Sequence, residues 1–365
     1  MGEKMNFDVI PEVSILMLTY NHNSFIREAI TSCIQQRTNF SFELIICDDF
    51  STDGTIDTIN EIYDEYPEHI VLSMQSKNTG GPKNLEDGLR KVRGRYIAFC
   101  EGDDFWCDHN KLQVQFDFLE NNSDFTLCFH NTKVLYEFEF VGDTAYYPSA
   151  GFLLKSIYPK DGILTLKDLI GTYEAHTSSY FGRWPYINGF PDDWSVHKGQ
   201  DLFFMPIIVG DGKIKHINRL MSMYRRHETG YTLLMNSSYR DFFINRGEKW
   251  IELYKELNDY TNDKYIIEVN YRISIALKNM ALYYISNRDF KQLKVLLTNY
   301  YDYFFSRSNL TAIFDRKYPT TTILCFAFQR GIRYSLSRKK VIKKTLFYIK
   351  LHYYLGLLFK ETIEL

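Results

Sequence analysis

Gly94-Arg-Tyr-Ile-Ala-Phe-Cys-Glu-Gly-Asp-Asp-Phe-Trp106 is the stretch whose reading decides the fold. Its apolar run Tyr96–Cys100 has the length and composition of a buried strand. Four residues of different character follow at once, Glu101-Gly102-Asp103-Asp104, and then the aromatic pair Phe105-Trp106. Adjacent carboxylates at the end of a buried strand are costly unless something compensates their charge. A hard divalent cation shared with phosphate oxygens would do so. Taken alone, Asp103-Asp104 reads more readily as a solvated turn with a helix cap. Its place between a buried strand and an aromatic pair favours a site.

Moving outward, the same alternation repeats on the N-terminal side. Val13–Leu18 is a short apolar run, and a helix follows with Ile26, Ala29, Ile30, Cys33 and Ile34 at helical spacing, capped by Asn23 or Ser24. Phe42–Cys47 reads as a second strand, and Thr55 to Tyr66 as a helix ended by Pro67. Ile70–Leu72 is a third strand, and Leu85, Leu89 and Val92 mark a helix closed by Gly94. On the C-terminal side, Leu112, Phe116 and Leu119 predict a helix and Phe125–Phe129 a strand. Strand–helix alternation implies βαβ units and a mostly parallel sheet of the α/β class. Ligands of such sheets bind at the carboxyl ends of the strands.

The polar clusters fall at those ends. Thr19-Tyr20-Asn21 follows the first strand, Asp48-Asp49 the second and Glu101 to Asp104 the fourth. Asp49 is placed to accept a hydrogen bond from a nucleobase imino N–H, while Ser51 and Asp53 read as loop-to-helix capping residues. Asn78-Thr-Gly-Gly-Pro82 is a turn whose glycines permit close backbone approach to a ligand. Further on, Gln200-Asp201 opens an apolar helix, Leu202 to Val209. Asp201 there either interacts with the helix N-terminus or serves as a general base aimed into a cleft. Tyr224-Arg-Arg-His227 suits diphosphate binding, and His227 suits a metal, although a basic surface turn has the same composition.

Composition narrows the classes. A formal net charge of −2 gives no basic field for nucleic acid. Tyr and Phe, at 28 each, point to aromatic cores or an interfacial surface rather than disorder. The six cysteines form no CxxC pair and most lie in apolar runs, which predicts a reducing, cytoplasmic setting and no structural zinc. Met1 to Val9 has no apolar leader stretch, and no run approaches the ~18 apolar residues of a membrane span. Residues 131–235 are irregular. Beyond them Trp250–Leu257, Tyr265–Ser286 and Phe290–Phe305 read as amphipathic helices, and 320–365 as a basic, aromatic tail. The domain reading is therefore 1–235, 236–319 and 320–365.

Together these segments resemble family 2 glycosyltransferases of the GT-A fold. The matching pieces are Val13 to Asn21, Glu43 to Thr55, Asn78-Thr-Gly80, Gly94 to Trp106, Lys111 to Leu119, Gly199-Gln-Asp201, Gly212-Lys-Ile214 and Met221 to His227, in the family's order. The resemblance covers roughly residues 10–235. It implies a Rossmann-like, mostly parallel sheet and an inverting, metal-dependent transferase of the hexosyltransferase type. By that likeness Thr19, Tyr20, Asn21 and Asn78 line the nucleotide pocket, and Asp49 reads uracil. Asp103 and Asp104 match the acids that hold ribose and metal, His227 lies near metal and diphosphate, and Asp201 is the catalytic base. Glu101 replaces the first acid of the family's DxD-type motif, and Gln200 replaces a small residue.

The implied cofactor is Mg²⁺ or Mn²⁺, the donor a nucleotide sugar, by expectation a UDP-sugar, and the acceptor a glycan or lipid-linked hydroxyl in surface polysaccharide synthesis. A non-catalytic nucleotide-sugar-binding protein of the same fold, or a sugar nucleotidyltransferase, are the competing classes. The intact Asp103, Asp104 and Asp201 argue against the first. Thr19-Tyr-Asn-His-Asn23, neither glycine-rich nor basic, argues against the second. Lys and Arg interleaved with aliphatic and aromatic residues across 335–365 predict peripheral contact with the cytoplasmic face of the inner membrane, or else packing or a homodimer contact.

Overall fold

The computed structural model describes residues 10–136, 162–171, 175–192, 201–227, 230, 239–300 and 303, and the side chains at 136, 201–204 and 239–243 lie outside that description. The chain divides into two units, residues 1–272 and 273–365. The first opens with three strand–helix pairs: β1 (Val13–Thr19), α1 (Ile26–Ile34), β2 (Phe42–Asp48), α2 (Thr55–Glu65), β3 (Ile70–Met74) and α3 (Gly81–Leu89). Then come β4 (Tyr96–Phe99), β5 (Phe105–Trp106), α4 (Lys111–Glu120) and β6 (Phe125–Tyr136). After these follow β7 (Ile163–Leu164), α5 (Leu166–Gly171), a single 3₁₀ turn (Thr177–Ser179), β8 (Phe181–Arg183), α6 (Asp201–Val209), β9 (Lys213–Arg226) and α7 (Tyr239–Tyr260).

The sheet runs β3-β2-β1-β4-β8-β6-β9-β5, with β7 paired to β9. The β3-β2-β1-β4 half is parallel throughout. β8 joins β4 and β6 in antiparallel fashion, β9 lies parallel to β6, and β5 and β7 pair antiparallel with β9. Strand order reverses at β1, because β2 and β3 lie to one side of it and β4 to the other. That is the switch point at which open α/β sheets form a ligand crevice.

Apolar side chains hold this half together. Val13, Ile15, Met17, Leu44, Ile46, Tyr96 and Ala98 form a core with Ile26, Ala29, Ile30 and Ile59 from the helices. Each fully buried Val, Leu or Ile contributes roughly 1.5–3 kcal/mol relative to exposure. β1 and β2 are buried at nearly every position, as strands covered on both faces are.

Several details differ from the sequence reading. α1 starts after Phe25, with no side-chain cap from Asn23 or Ser24; the His22 carbonyl accepts the Phe25 and Ile26 N–H groups instead. α3 ends at Leu89, before Val92, and Gly94 does not cap it. Gly94 is glycine because a Cβ there would stand 2.5 Å from the Ser14 backbone nitrogen. β6 extends seven residues past Phe129 to Tyr136, and β9 covers far more than Leu220–Met223, because the two strands pair with each other along their length.

In the second unit the described residues are 273–300 and 303, the end of α8 (Ile266–Ser286) and α9 (Phe290–Asn299). Asp289 caps α9, its carboxylate accepting the Gln292 N–H at 3.1 Å. Residues 304–365, and with them the basic tail, lie outside the described residues. Among those described, no helix is long and apolar enough to cross a membrane. Cys33, Cys47, Cys100 and Cys128 are free and buried, and Cys107 is free and exposed.

Candidate active site at the carboxyl ends of β1, β2 and β4

The turn after β1 is tied down residue by residue. Asn21 sits in the left-handed region at φ 56°. Its N–H donates to Ser51 Oγ at 2.8 Å and its side-chain oxygen accepts the Thr52 N–H at 2.9 Å. The His22 N–H donates to Thr55 Oγ1 at 2.8 Å, and the Asn23 N–H to Asp53 at 3.0 Å. Asp53 in turn accepts the Thr55 N–H at 3.0 Å, while Ser51 donates to the buried Asp48. Ser51 and Asp53 thus cross-link two loops rather than simply cap α2. Burial pushes the Asp48 carboxyl up, against the Ser51 hydrogen bonds.

Asp49 is buried, and both its oxygens are engaged by the turn before α3. Oδ1 accepts the Thr79 N–H at 2.7 Å and the Thr79 hydroxyl at 2.9 Å, and Oδ2 accepts the Gly80 N–H at 2.8 Å. Asn78 and Tyr20 are exposed beside these loops.

The acid motif leaves β4 and folds against the end of β1. The Gly102 N–H donates to the Leu18 carbonyl at 2.8 Å. A Cβ on Gly102 would stand 2.6 Å from Thr19 Oγ1 and 3.0 Å from His22 Nδ1, so only glycine fits between Glu101 and Asp103. This close fit brings Asp103 to His22 and His227. Asp103 Oδ2 lies 3.2 Å from His227 Nε2 and 3.7 Å from His22 Nε2. One ligand atom from each of the three side chains lies within 4.8 Å of the others. Burial raises the Asp103 carboxyl, but the two imidazoles outweigh it and hold the group below the usual carboxylate range. Burial lowers His22, opposed by the charge of Asp103.

Of the three residues read as metal ligands, Asp103 and His227 come together and Asp104 does not join them. Asp104 Oδ1 accepts the Arg225 N–H at 2.9 Å, and Oδ2 faces His176 Nδ1 at 3.6 Å. Burial, then the charges of Asp103 and Glu101, push its carboxyl well above the ordinary range. His22 stands where Asp104 was expected. The sequence carried a signal for it, a histidine two residues past Tyr20 in a loop already marked as site-forming.

Other neighbours had no readable pattern. The 3₁₀ turn docks on the motif, Thr177 Oγ1 donating to Glu101 at 2.6 Å. His176 stacks on Tyr224 at 4.2 Å, and burial pushes its imidazole down to about 4. Arg225 donates to the Asp103 carbonyl at 2.9 Å, lies 4.9 Å from the Phe25 and Phe105 ring centres, and pairs with Glu28. Phe25 also packs on His227 at 4.4 Å between ring centres. Asp201 is the first residue of α6, and its side chain lies outside the described residues.

The donor set fits a divalent cation. Two imidazole nitrogens and one carboxylate converge, and coordination bonds of about 2.0–2.2 Å are within reach of small side-chain movements.

Comparison with known proteins agrees with this layout. The family model described as glycosyl transferase family 2 matches residues 14–154. An uncharacterized protein of Mycobacterium tuberculosis is 33% identical over 241 residues, 64% of this chain and 64% of that one, so the match spans somewhat less than two thirds of the relative. The UDP-Glc:alpha-D-GlcNAc-diphosphoundecaprenol beta-1,3-glucosyltransferase WfaP of Escherichia coli is 37% identical over 115 residues, 31% of this chain and 43% of that protein. Among solved structures, S. aureus TarS 1-349 in complex with UDP-GlcNAc aligns with a TM-score of 0.53 at 17% identity, covering 86% of this chain and 83% of that one. At that identity the likeness is one of fold.

Proposed function

We propose that this chain, whose residues 14–154 match glycosyl transferase family 2 and whose fold is GT-A, is an inverting transferase moving a sugar from a UDP-sugar to a hydroxyl of a glycan or lipid-linked acceptor. The observation that carries the reading is the convergence of His22, Asp103 and His227 at the switch point of the sheet, beside the loops of Asn21 and Asp49. Thr19, Tyr20, Asn21 and Asn78 border the nucleotide pocket, and Asp49 accepts the nucleobase imino N–H. For that, it shares or releases the Thr79 and Gly80 amides it now holds.

Asp201 is the general base. It takes the proton of the acceptor hydroxyl, whose oxygen attacks the anomeric carbon from the face opposite the diphosphate. The bond to the diphosphate breaks and configuration inverts. A divalent cation held by Asp103 and His227, Mg²⁺ or Mn²⁺, neutralises charge on the departing nucleoside diphosphate when bound.

The lipid-linked acceptor is supported by the activity of the Escherichia coli relative, which acts on a diphosphoundecaprenol-linked sugar. A place in surface polysaccharide synthesis is part of the same proposal. The tail, residues 335–365, is proposed to lie on the anionic face of a membrane and bring the site to such an acceptor.

Incubation with a panel of UDP-sugars and Mn²⁺ tests the activity. Release of UDP with transfer to acceptor supports it. Pyrophosphate release from UTP and sugar phosphate assigns a nucleotidyltransferase instead, and neither product assigns a binding protein.

A further inference from the structure

We propose that His22 completes a metal site of two imidazoles and one carboxylate with Asp103 and His227, and that this donor set selects a transition-metal dication over Mg²⁺. The inference rests on the proposed function only in taking the same cleft as the metal site. It adds a ligand, and a metal preference, to that reading.

The geometry is prepared around His22. Its backbone is fixed by the Thr55 hydroxyl and by the left-handed Asn21 before it. Thr19 Oγ1 lies 3.3 Å from His22 Nδ1. With Nδ1 protonated and donating to that hydroxyl, the Nε2 lone pair faces Asp103, the tautomer that outer hydrogen bonds commonly select in metal-bound histidines. Gly102, the residue with no room for a Cβ, lets the acid motif approach that ring. His227 is 3% exposed and braced by Phe25. Neither imidazole needs to travel far to bind.

The chemistry sets the preference. Mg²⁺ takes oxygen ligands and gives up water reluctantly. Imidazole suits Fe, Zn, Cu and Ni, and affinity for a nitrogen-bearing site rises from Mn²⁺ toward Zn²⁺. A second carboxylate in the first coordination sphere would have favoured Mg²⁺. Asp104, the natural candidate, is held by the Arg225 N–H through Oδ1, and its Oδ2 lies beside His176 at 3.6 Å, outside the group formed by His22, Asp103 and His227. With one carboxylate and two nitrogens, the site is a poor host for Mg²⁺ and a progressively better one from Mn²⁺, which also accepts oxygen ligands, to Co²⁺ and Zn²⁺. Three protein ligands leave positions open for diphosphate oxygens or water.

The test uses the full chain, stripped of metal and titrated without nucleotide by calorimetry against MgCl₂, MnCl₂ and ZnCl₂. The expected order is Zn²⁺ tighter than Mn²⁺, and Mn²⁺ tighter than Mg²⁺. His22→Asn is expected to weaken Mn²⁺ about tenfold or more while Mg²⁺ changes less than about threefold. Pulsed electron paramagnetic resonance on bound Mn²⁺ counts coordinated imidazole nitrogens, expected to be two in the parent and one in the variant. Asp103→Asn must abolish binding of both metals. A melting curve in EDTA keeps misfolding of His22→Asn apart from ligand loss, and His22→Gln repeats the measurement if the first variant does not fold. Equal affinity for Mn²⁺ and Mg²⁺, or two nitrogens in both proteins, overturns the inference. Turnover supported equally by Mg²⁺ sinks this preference alone, whereas turnover that persists in EDTA sinks the metal reading of the site itself.

Discussion

The Asp104 carboxylate accepts the backbone N–H of Arg225 at 2.9 Å, across 121 residues of sequence. This bond fastens the acid motif to β9 two residues before His227. It turns the second acid of the pair into a splice between two segments and leaves the first, Asp103, to face the cleft.

Asp104→Asn is therefore expected to keep metal-dependent UDP binding. The amide keeps an oxygen to accept the Arg225 N–H and carries no charge, which suits a place where burial disfavours the ionised carboxyl. Asp104→Ala removes the partner of the Arg225 N–H and is expected to cost on the order of 1–3 kcal/mol of stability. Asp103→Asn should do the reverse, melting normally but losing the response of UDP binding to Mn²⁺. Thermal melts beside calorimetric UDP titrations, with and without Mn²⁺, separate the two acids. An Asp104→Asn protein that folds but ignores Mn²⁺ refutes this division of labour.

Asp201→Asn is expected to lower turnover about 10²–10⁴-fold, the usual cost of a positioned base, with UDP affinity nearly unchanged. Parallel measurement of UDP affinity and transfer rate checks it. Turnover within tenfold of the parent, by this estimate of a base's worth, removes Asp201 from the role.

Asp49→Ala is expected to weaken UDP about 10- to 100-fold, the scale of a lost hydrogen bond to a charged group. It should also release the turn at Thr79 and Gly80, whose amides lose their acceptor. Hydrogen exchange at those two amides reads the second effect independently of nucleotide. Unchanged UDP affinity with faster exchange would show that Asp49 serves the loop alone.

Lys111 is fully buried over the Trp106 ring, 4.0 Å from its centre, with no hydrogen-bond partner on Nζ. Burial pushes the amine down to about 7, from the 10.5 of a free lysine. Between those values the unfolded chain holds a proton that the folded chain has lost, so this group makes stability rise with pH across that window. Its penalty is complete below pH 7. Lys111→Met is expected to raise stability by roughly 1–3 kcal/mol at pH 6–7, the ring face offsetting part of the burial cost. The gain should fade as pH approaches 10.5. Melting curves at pH 6, 8 and 10 suffice, and a gain that grows with pH contradicts the assignment.

Deletion of residues 335–365 is expected to abolish co-sedimentation with vesicles of anionic lipid while leaving the melting transition of the remainder in place. Each Lys or Arg near such a surface contributes about 1 kcal/mol. Full-length protein that stays in the supernatant ends the membrane reading. A truncated protein that unfolds assigns the tail to the core.

The parallel half of the fold was legible because β1, β2 and β4 are buried on both faces, so Val13–Leu18, Phe42–Cys47 and Tyr96–Cys100 stand out as apolar runs, interrupted only by Ser14 and Glu43, which bond each other. β8 was not, because Phe181-Gly-Arg183 is short and gains its meaning from β4 and β6 on either side. Much the same holds for β9. Its burial alternates irregularly around register shifts against β6, which hides a period of two. At the site, the loop with Asn21, the pair with Asp49, and Asp103 with His227 could be found from strand ends and motif order. His176 and Thr177 could not, since they reach the acid motif only through tertiary packing of an isolated turn.

β6 and β9 lie side by side and parallel, yet Tyr136 and Lys213 are separated by a stretch that includes α5, β8 and α6. A ribosome adding about 5–20 residues per second leaves the β9 edge of β6 open for several seconds, although β8, its partner on the other edge, emerges earlier. During that interval β1 to β4 can already be assembled, while His227 has not been made. The nascent chain therefore passes through a stage with a nearly finished nucleotide-binding half, half a metal site and one strand with an open edge. That stage is where a chaperone would be needed most, and where a premature stop would leave a fragment prone to aggregate rather than a weakened enzyme.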